Sequence, residues 1–316
     1  MLLGGRYRTG ELLGSGGGAS VYRATDEALG REVAVKVFLP TTEDDDRYRR
    51  QHTETLLLAR LNHPGLVTLL DAGLHRDSSG AMTSYLVMEL IEGEDLRRRL
   101  ERGPLPPADV AQIGADLADA LAYIHQEGVI HRDIKPANIL LSGGGTDTRH
   151  HPRLTDFGVA RLMEAPTATS QGATIGTANY LSPEQALGET ITPATDIYSL
   201  GLVLIECLTG EKAFPGPGVE AAVARLLRDP EIPDFLGPDW VRLLGAMTAR
   251  EAAARPSAHD VAVTLRSWSE PTVTAHLAPE AAAGQIPALR VADTGGPATT
   301  GGVIVPTPPN RAPTVG

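Results

Sequence analysis

Near residue 90 the dominant period of the apolar residues changes from that of strands to that of helices, and this change limits the fold more than any other feature. Before it, apolar residues alternate. In "REVAVKVFL", Val33, Val35 and Val37 share one face and Ala34, Lys36 and Phe38 the other, which is the period of a strand. "RYRTGELLGSGGGASVYRA" holds two more β-rich runs around a glycine cluster, and strands are expected near 66–72 and 84–89. Between "REVAVKVFL" and those last two strands, "TTEDDDRYRRQHTETLLLARL" is polar and then periodic. It reads as a helix that ends before Asn62-His63-Pro64, because the residue preceding a proline is driven out of the helical region. After the switch, Val110, Ile113, Leu117, Leu121 and Ile124 recur at spacings of 3, 4, 4 and 3, one apolar stripe on a helix over 107–128. Pro107 suits its first turn and Gly128 its end. Further helices are expected near 183–187, 196–208, 219–228, 238–247 and 257–268, the last opened by a capping box of Ser257 and Asp260. The pattern is α+β: a small sheet with one helix, then a larger helical part. From about Pro271 to Gly316 the composition falls to Pro, Gly, Ala and Thr, and a disordered tail is expected there.

Composition closes several alternatives. The 316 residues give room for about two domains of ~150 residues or one larger bilobal unit. A net charge of −11 gives no global support to a nucleic-acid-binding surface. Cys207 is the only cysteine, so no internal disulfide can form, which fits a reducing cytoplasm. The start "MLLGGRYRTG" lacks the charged and apolar regions of a signal peptide. The longest apolar run, "IYSLGLVLIECL", is short of the ~20 residues of a membrane span and contains Glu206. A cytoplasmic protein without a membrane span is expected.

Three short stretches carry chemistry. In "LGSGGGASV" a glycine cluster between two strands lets backbone amides approach phosphates, although a flexible turn would read the same. Lys36, 15 residues beyond Val21, lies in an apolar strand and needs a partner unless it snorkels to solvent. Glu54 on the following helix is placed to supply one, or is an ordinary solvated residue. "HRDIKPANIL" is more specific. It is too polar and proline-broken for a helix core, and it sets an acid (Asp133), a cation (Lys135) and an amide (Asn138) at fixed offsets in a loop. Asp156 of "DFG" follows 18 residues after Asn138. Asp and Asn facing one pocket are hard oxygen donors of the kind Mg²⁺ takes together with phosphate. Lys135 and Lys36 are also two of only three lysines in a chain that otherwise writes arginine, the third being Lys212, read as a surface residue. A second "HRD", at 75–77, has Met82 where the first has Asn138, and is read as a loop accident.

The order of glycine loop, strand Lys, helix Glu, "HRDIKPAN", "DFG" and "SPE" resembles the eukaryotic-like (Hanks-type) bacterial Ser/Thr protein kinases over roughly residues 7–268. The resemblance implies a bilobal kinase fold, with an N-lobe over about 7–90 and a C-lobe over about 92–268, and ATP with Mg²⁺, or Mn²⁺ in its place. Gly14, Ser15, Gly16, Gly17, Gly18 and Ala19 would cover the triphosphate, with Ser20 beside them. Lys36, held by Glu54, would contact the α- and β-phosphates. Asp133 would handle the proton of the acceptor hydroxyl, Lys135 would reach the γ-phosphate, and Asn138 and Asp156 would hold the metal. Leu13, Val21, Ala34 and Leu140 would enclose adenine, with Met88 as gatekeeper and backbone hydrogen bonds from Glu89 and Ile91. Thr177 and Tyr180 resemble the substrate-binding segment, Glu184 is expected to pair with Arg255, and Asp196 to brace the catalytic loop. "DxKPxN" favours Ser/Thr acceptors, so protein substrates are the expected partners, with a homodimer for phosphorylation in trans. Thr169, then Thr167, Ser170 and Thr174, are candidate phosphosites that Arg132 would bind. Two departures appear: Ala19 replaces the third loop glycine, and "SPE" replaces "APE". Neither removes a catalytic group. A pseudokinase scaffold would be expected to lack Lys36, Asp133 or Asp156, and a small-molecule phosphotransferase to lack "GTANYLSPE"; the chain has all of these.

Overall fold

Alternation in the first ninety residues builds a six-stranded antiparallel sheet. A computed structural model describes residues 1–16, 18–38, 60–76, 80, 82–143, 150–156 and 178–269, without the side chains of Val219 and Ser269. The strands β1 (Leu2–Leu3), β2 (Tyr7–Ser15), β3 (Ala19–Asp26), β4 (Arg31–Phe38), β5 (Leu69–Arg76) and β6 (Met82–Glu89) lie in the order β1-β2-β3-β4-β6-β5. On β4, Val33 and Val35 are fully buried in a cluster with Tyr7, Ala24, Tyr85 and Val87. Ala34 and Phe38 on the opposite face are buried too, so this central strand is covered on both sides. Asp26 closes the β3–β4 turn. It accepts two 2.7 Å hydrogen bonds from Arg6, which hold its buried carboxyl down at about 2.

The strand expected over 66–72 begins three residues later. Leu66 bridges to Leu154, the Val67 amide donates to the Leu154 carbonyl (2.9 Å), and the Leu154 amide donates to Gly65 (2.8 Å). Those backbone groups are engaged with another element, so the ladder with β6 starts only at Leu69. His75 and Arg76 of the second "HRD" are the end of β5 and not a loop. The helix expected before Asn62 and the tail after Pro271 lie outside the described residues.

Past the switch come β7 (Gly93–Asp95), α1 (Leu96–Leu100), α2 (Pro107–Gln126), β8 (Ile139–Ser142), β9 (His151–Leu154), α3 (Pro183–Leu187), α4 (Ala194–Thr209), α5 (Gly218–Leu227), α6 (Pro238–Met247) and α7 (Ala258–Ser269). The stripe on α2 is buried throughout, at no more than 1% exposure for Val110, Ile113, Leu117, Leu121 and Ile124. Complete burial of each such side chain is worth about 1.5–3 kcal/mol. α2 approaches its neighbours so closely at Gly114 that an added Cβ would lie 2.8 Å from Leu265 on α7 and 3.1 Å from Leu204 on α4. Gly128, at φ +74°, turns the chain out of α2. α4 is buried from Thr195 to Leu208, which marks it as a central core helix. Among the described residues no helix is long and apolar enough to cross a membrane. Ser257 caps α7 with its hydroxyl accepting from the Asp260 amide (3.2 Å) and donating to the Asp260 carboxylate (2.6 Å).

Candidate active site

The site is built upward from Asp196, in the first turn of α4. Its fully buried carboxylate accepts the backbone N–H groups of His131 (2.9 Å) and Arg132 (2.8 Å), and it lies 2.8 Å from His125 Nε2 on α2. A buried carboxylate is costly unless such donors surround it, so the two amide contacts fix the path of the loop above it, and His125 ties α2 to the same group. Arg132 is accordingly held at φ +66°, a left-handed conformation that disfavours a side chain by about 1–3 kcal/mol. Its carbonyl is fixed from the other side by Gln185 Nε2 at 2.8 Å. Gln185 is also the partner in the Ser182 capping box of α3, so one glutamine joins that helix to the loop. His131 is buried, and burial holds its pKa below the usual histidine value. Its Nε2 lies 3.1 Å from the Thr155 carbonyl and its Nδ1 3.4 Å from the Asp133 amide, which fits a neutral ring with the proton on Nε2.

Above this floor, Asp133 Oδ2 meets Lys135 Nζ at 2.8 Å and Asn138 Nδ2 at 3.0 Å. Asn138 Nδ2 also donates to the Asp133 carbonyl (2.8 Å), so the amide spends its nitrogen inside the loop and keeps its oxygen for another partner. A 3-10 turn over Pro136–Asn138 sets these offsets. Thr155 donates to the Asn138 carbonyl (3.0 Å), which brings Asp156, the next residue, against the same loop. Asp156 sits at φ +60°, and with Arg132 it is one of the two non-glycine residues at positive φ among the described residues. Both lie at this site, where backbone strain concentrates in proteins. Asp156 Oδ1 lies 2.6 Å from Lys36 Nζ. This pairing joins the sheet to the loop region across 120 residues of chain, a separation at which no sequence pattern signals it. Glu54, the partner expected for Lys36, lies outside the described residues, as do Gly17, Thr167, Thr169, Ser170, Thr174 and Thr177.

Register assembles an apolar wall beside Lys36. Val21 is opposite Lys36 across β3–β4, and Met88 is opposite Ala34 across β4–β6. Directly paired residues share a face, so Val21, Ala34, Lys36 and Met88 line one side of the sheet. Gly14 and Ser15 pair with Val21 and Ser20 next to the turn of the β2–β3 hairpin, where the Gly16 amide donates to the Ala19 carbonyl (2.9 Å), and Leu13 is half-buried. Leu140 lies on β8, paired with Asp95 and Arg153, and Ile91 lies in the connection to β7. Glu89 ends β6, and its side chain accepts from the Thr68 amide (2.8 Å), the Thr68 hydroxyl (2.9 Å) and Arg153 (2.7 Å). That clamp at the end of the sheet is not visible in sequence.

Beneath the "SPE" stretch, Arg255 grips Glu184 with two bonds of 2.7 and 2.9 Å, and Thr195 adds a third at 2.6 Å. Burial pushes the Glu184 carboxyl up, but the bonds from Arg255 and Thr195 outweigh it and hold the group at about 2. Tyr180 is buried, and its hydroxyl donates to Glu206 at 2.5 Å. Its side chain therefore faces α4, and burial raises the pKa of both groups. Lys212 is exposed. Among the described residues no group of three or more His, Cys, Asp or Glu could hold a metal ion alone. Asn138 and Asp156 instead fit a cation that takes one or two protein oxygens and completes its shell with phosphate and water, as Mg²⁺ does.

The Protein kinase domain family matches residues 7–264. Serine/threonine-protein kinase PknB of Mycobacterium leprae is 42% identical over 258 residues, 80% of this chain and 40% of that protein. PknA of Mycobacterium tuberculosis is 37% identical over 257 residues, 80% of this chain and 58% of that protein. PknB of Mycolicibacterium smegmatis is 40% identical over 259 residues. The chain thus spans about half the length of these curated relatives. With the match covering most of its length, the chain belongs to the protein kinase domain family.

Proposed function

We propose that the chain is an ATP-dependent serine/threonine protein kinase. One observation carries the reading: Asp133, Lys135 and Asn138 are locked together over the buried Asp196, and Asp156 is brought against the same loop with Lys36 attached. The glycine turn and the wall of Val21, Ala34 and Met88 would receive the nucleotide, with Leu13, Leu140 and the backbone at Glu89 and Ile91 completing its adenine site. Asn138 and Asp156 would hold Mg²⁺, which when bound offsets charge on the β- and γ-phosphates. Lys36, now paired with Asp156, would turn to the α- and β-phosphates. Lys135, now paired with Asp133, would turn to the γ-phosphate. Asp133 is then released to orient the acceptor hydroxyl and take its proton. The hydroxyl oxygen forms the new P–O bond as the bond to the β-phosphate oxygen breaks, and ADP leaves. The acceptors are Ser/Thr side chains of proteins, among them a second copy of this chain.

Control would run through Arg132. Among the described residues its guanidinium has no ion-pair partner, and its backbone is fixed by Asp196 and Gln185. A phosphate on Thr169, or on Thr167, Ser170 or Thr174, would offer about −1.5 to −2 charge for it to bind. Transfer of labelled phosphate from ATP to the chain itself and to myelin basic protein tests the reading. A folded wild-type chain that transfers none in Mg²⁺ or Mn²⁺ would contradict it.

A further inference from the structure

α5 is amphipathic in the wrong sense. Val223 and Leu227, one turn apart, are 48% and 75% exposed, whereas Arg225 between them is 1% exposed. The arrangement has a cause on the inner side. Arg225 Nε donates to the Ala221 carbonyl of its own helix at 3.0 Å. The two outer nitrogens of its fork donate to the carbonyls of Leu181 and Ala178, and its guanidinium lies 5.2 Å from the centre of the Phe214 ring. Among the described residues no carboxylate pairs with it. Burial pulls its pKa down to about 10, so it remains a cation at neutral pH.

A buried guanidinium compensated only by carbonyl dipoles and a ring face is a demanding partner. If either carbonyl moves away, a charge is left uncompensated in the interior. The 178–181 backbone is therefore restricted to one path as long as α5 is docked. The rest of that segment is held by other elements. Asn179 Nδ2 donates to the Phe214 carbonyl (2.7 Å), Ser199 donates to the Tyr180 carbonyl (2.7 Å), and Tyr180 reaches Glu206. Ala178, Asn179 and Tyr180 all turn inward, so what the segment presents outward depends on its backbone path. Two residues later Ser182 and Gln185 connect it to the carbonyl of Arg132, next to Asp133.

We propose that Arg225 is a positioning residue for the protein acceptor: by holding the carbonyls of Ala178 and Leu181 it sets the surface on which the acceptor chain lies. This rests on the kinase reading given above. It implies that loss of the fork weakens acceptor binding and leaves the nucleotide site unaffected.

The test uses the full chain with Arg225→Met, which keeps apolar bulk, and Arg225→Lys, which keeps charge but not the fork. For each, melting temperature, KM for ATP in acceptor-free hydrolysis, and KM and kcat for myelin basic protein are measured. Arg225→Met should raise the acceptor KM about tenfold, the value of a hydrogen bond to a charged group, with the ATP KM within about twofold of wild type. Arg225→Lys should fall between the two, and it decides the matter if the Met variant does not fold. An acceptor KM unchanged in the folded variants overturns the inference. So does a parallel rise in both KM values, which would make Arg225 a general structural support. In either case wild-type transfer leaves the kinase reading standing. No transfer by the wild type to any Ser/Thr acceptor overturns that reading and this inference with it.

Discussion

Two kinds of ion pair lie at and beneath the candidate active site, and their surroundings differ. Glu184 and Arg255 are almost sealed, at 7% and 0% side-chain exposure, and their remaining polar atoms are taken up by Thr195 and by the carbonyls of Ala194, Ala249 and Arg250. The pairs Lys36–Asp156 and Lys135–Asp133 are half-open, at 12% with 31% and 19% with 21%. A sealed and saturated pair has nothing to offer a ligand, and breaking it strands a charge. A half-open pair can exchange its partner for a phosphate or a metal ion at small cost. The first kind should therefore govern stability and the second turnover.

The largest effect should come from breaking the sealed pair. Glu184→Ala leaves Arg255 uncompensated and should cost about 3–5 kcal/mol in urea denaturation. A loss below about 1 kcal/mol would erase the distinction between the two kinds of pair. The same pair predicts a pH dependence. Glu184 is held at about 2 against an ordinary 4.5, so its contribution is fully present above the ordinary value and is lost as pH falls from there through about 2. That contribution is roughly 3 kcal/mol, and Glu184→Gln should flatten the stability curve over this acid range. Lys36→Met should do the reverse of Glu184→Ala. Stability should change by at most about 1 kcal/mol, because the pair is partly solvated, while phosphate transfer falls about 10²-fold. The smallest effect concerns Arg132. Replacing Thr167, Thr169, Ser170 and Thr174 together by Ala should slow transfer about tenfold, the worth of a charge-assisted hydrogen bond. Phosphate found on this stretch by mass spectrometry in the wild type, with full activity in the fourfold variant, would remove Arg132 from the control scheme.

The same contrast explains what was legible in sequence. α3 and α6 have the expected bounds, 183–187 and 238–247, because Ser182, Gly188 and the Gly237-Pro238 step punctuate them. The alternation of β4 and the stripe of α2 are readable because their valines and their Val, Ile and Leu residues recur at the period of a strand and of a helix. β7, β8 and β9, at three or four residues, are too short to display a period, and the five-residue α1 is written "LRRRL", with one fully buried side chain. Within the site, Asp133, Lys135 and Asn138 are close in sequence, so their offsets stand out. The contact of Lys36 with Asp156 crosses 120 residues, and only the folded sheet makes it. Arg225 was hidden for another reason. An arginine on an amphipathic helix reads as its solvated face, and here tertiary carbonyls invert that preference. Its signal in sequence is faint: the apolar pair Val223 and Leu227 flanks it, and among the described side chains of the helix only Ala221 is buried with it.

The central claim is that Asp133 is a working group borne on a separately stabilised floor. Asp133→Asn keeps the shape of the side chain and removes its capacity to take a proton. Melting temperature and ATP affinity should stay at wild-type values, while the single-turnover rate of phosphate transfer to a protein acceptor falls about 10²–10⁴-fold. A folded Asp133→Asn protein that transfers phosphate at a near wild-type rate would contradict the assignment.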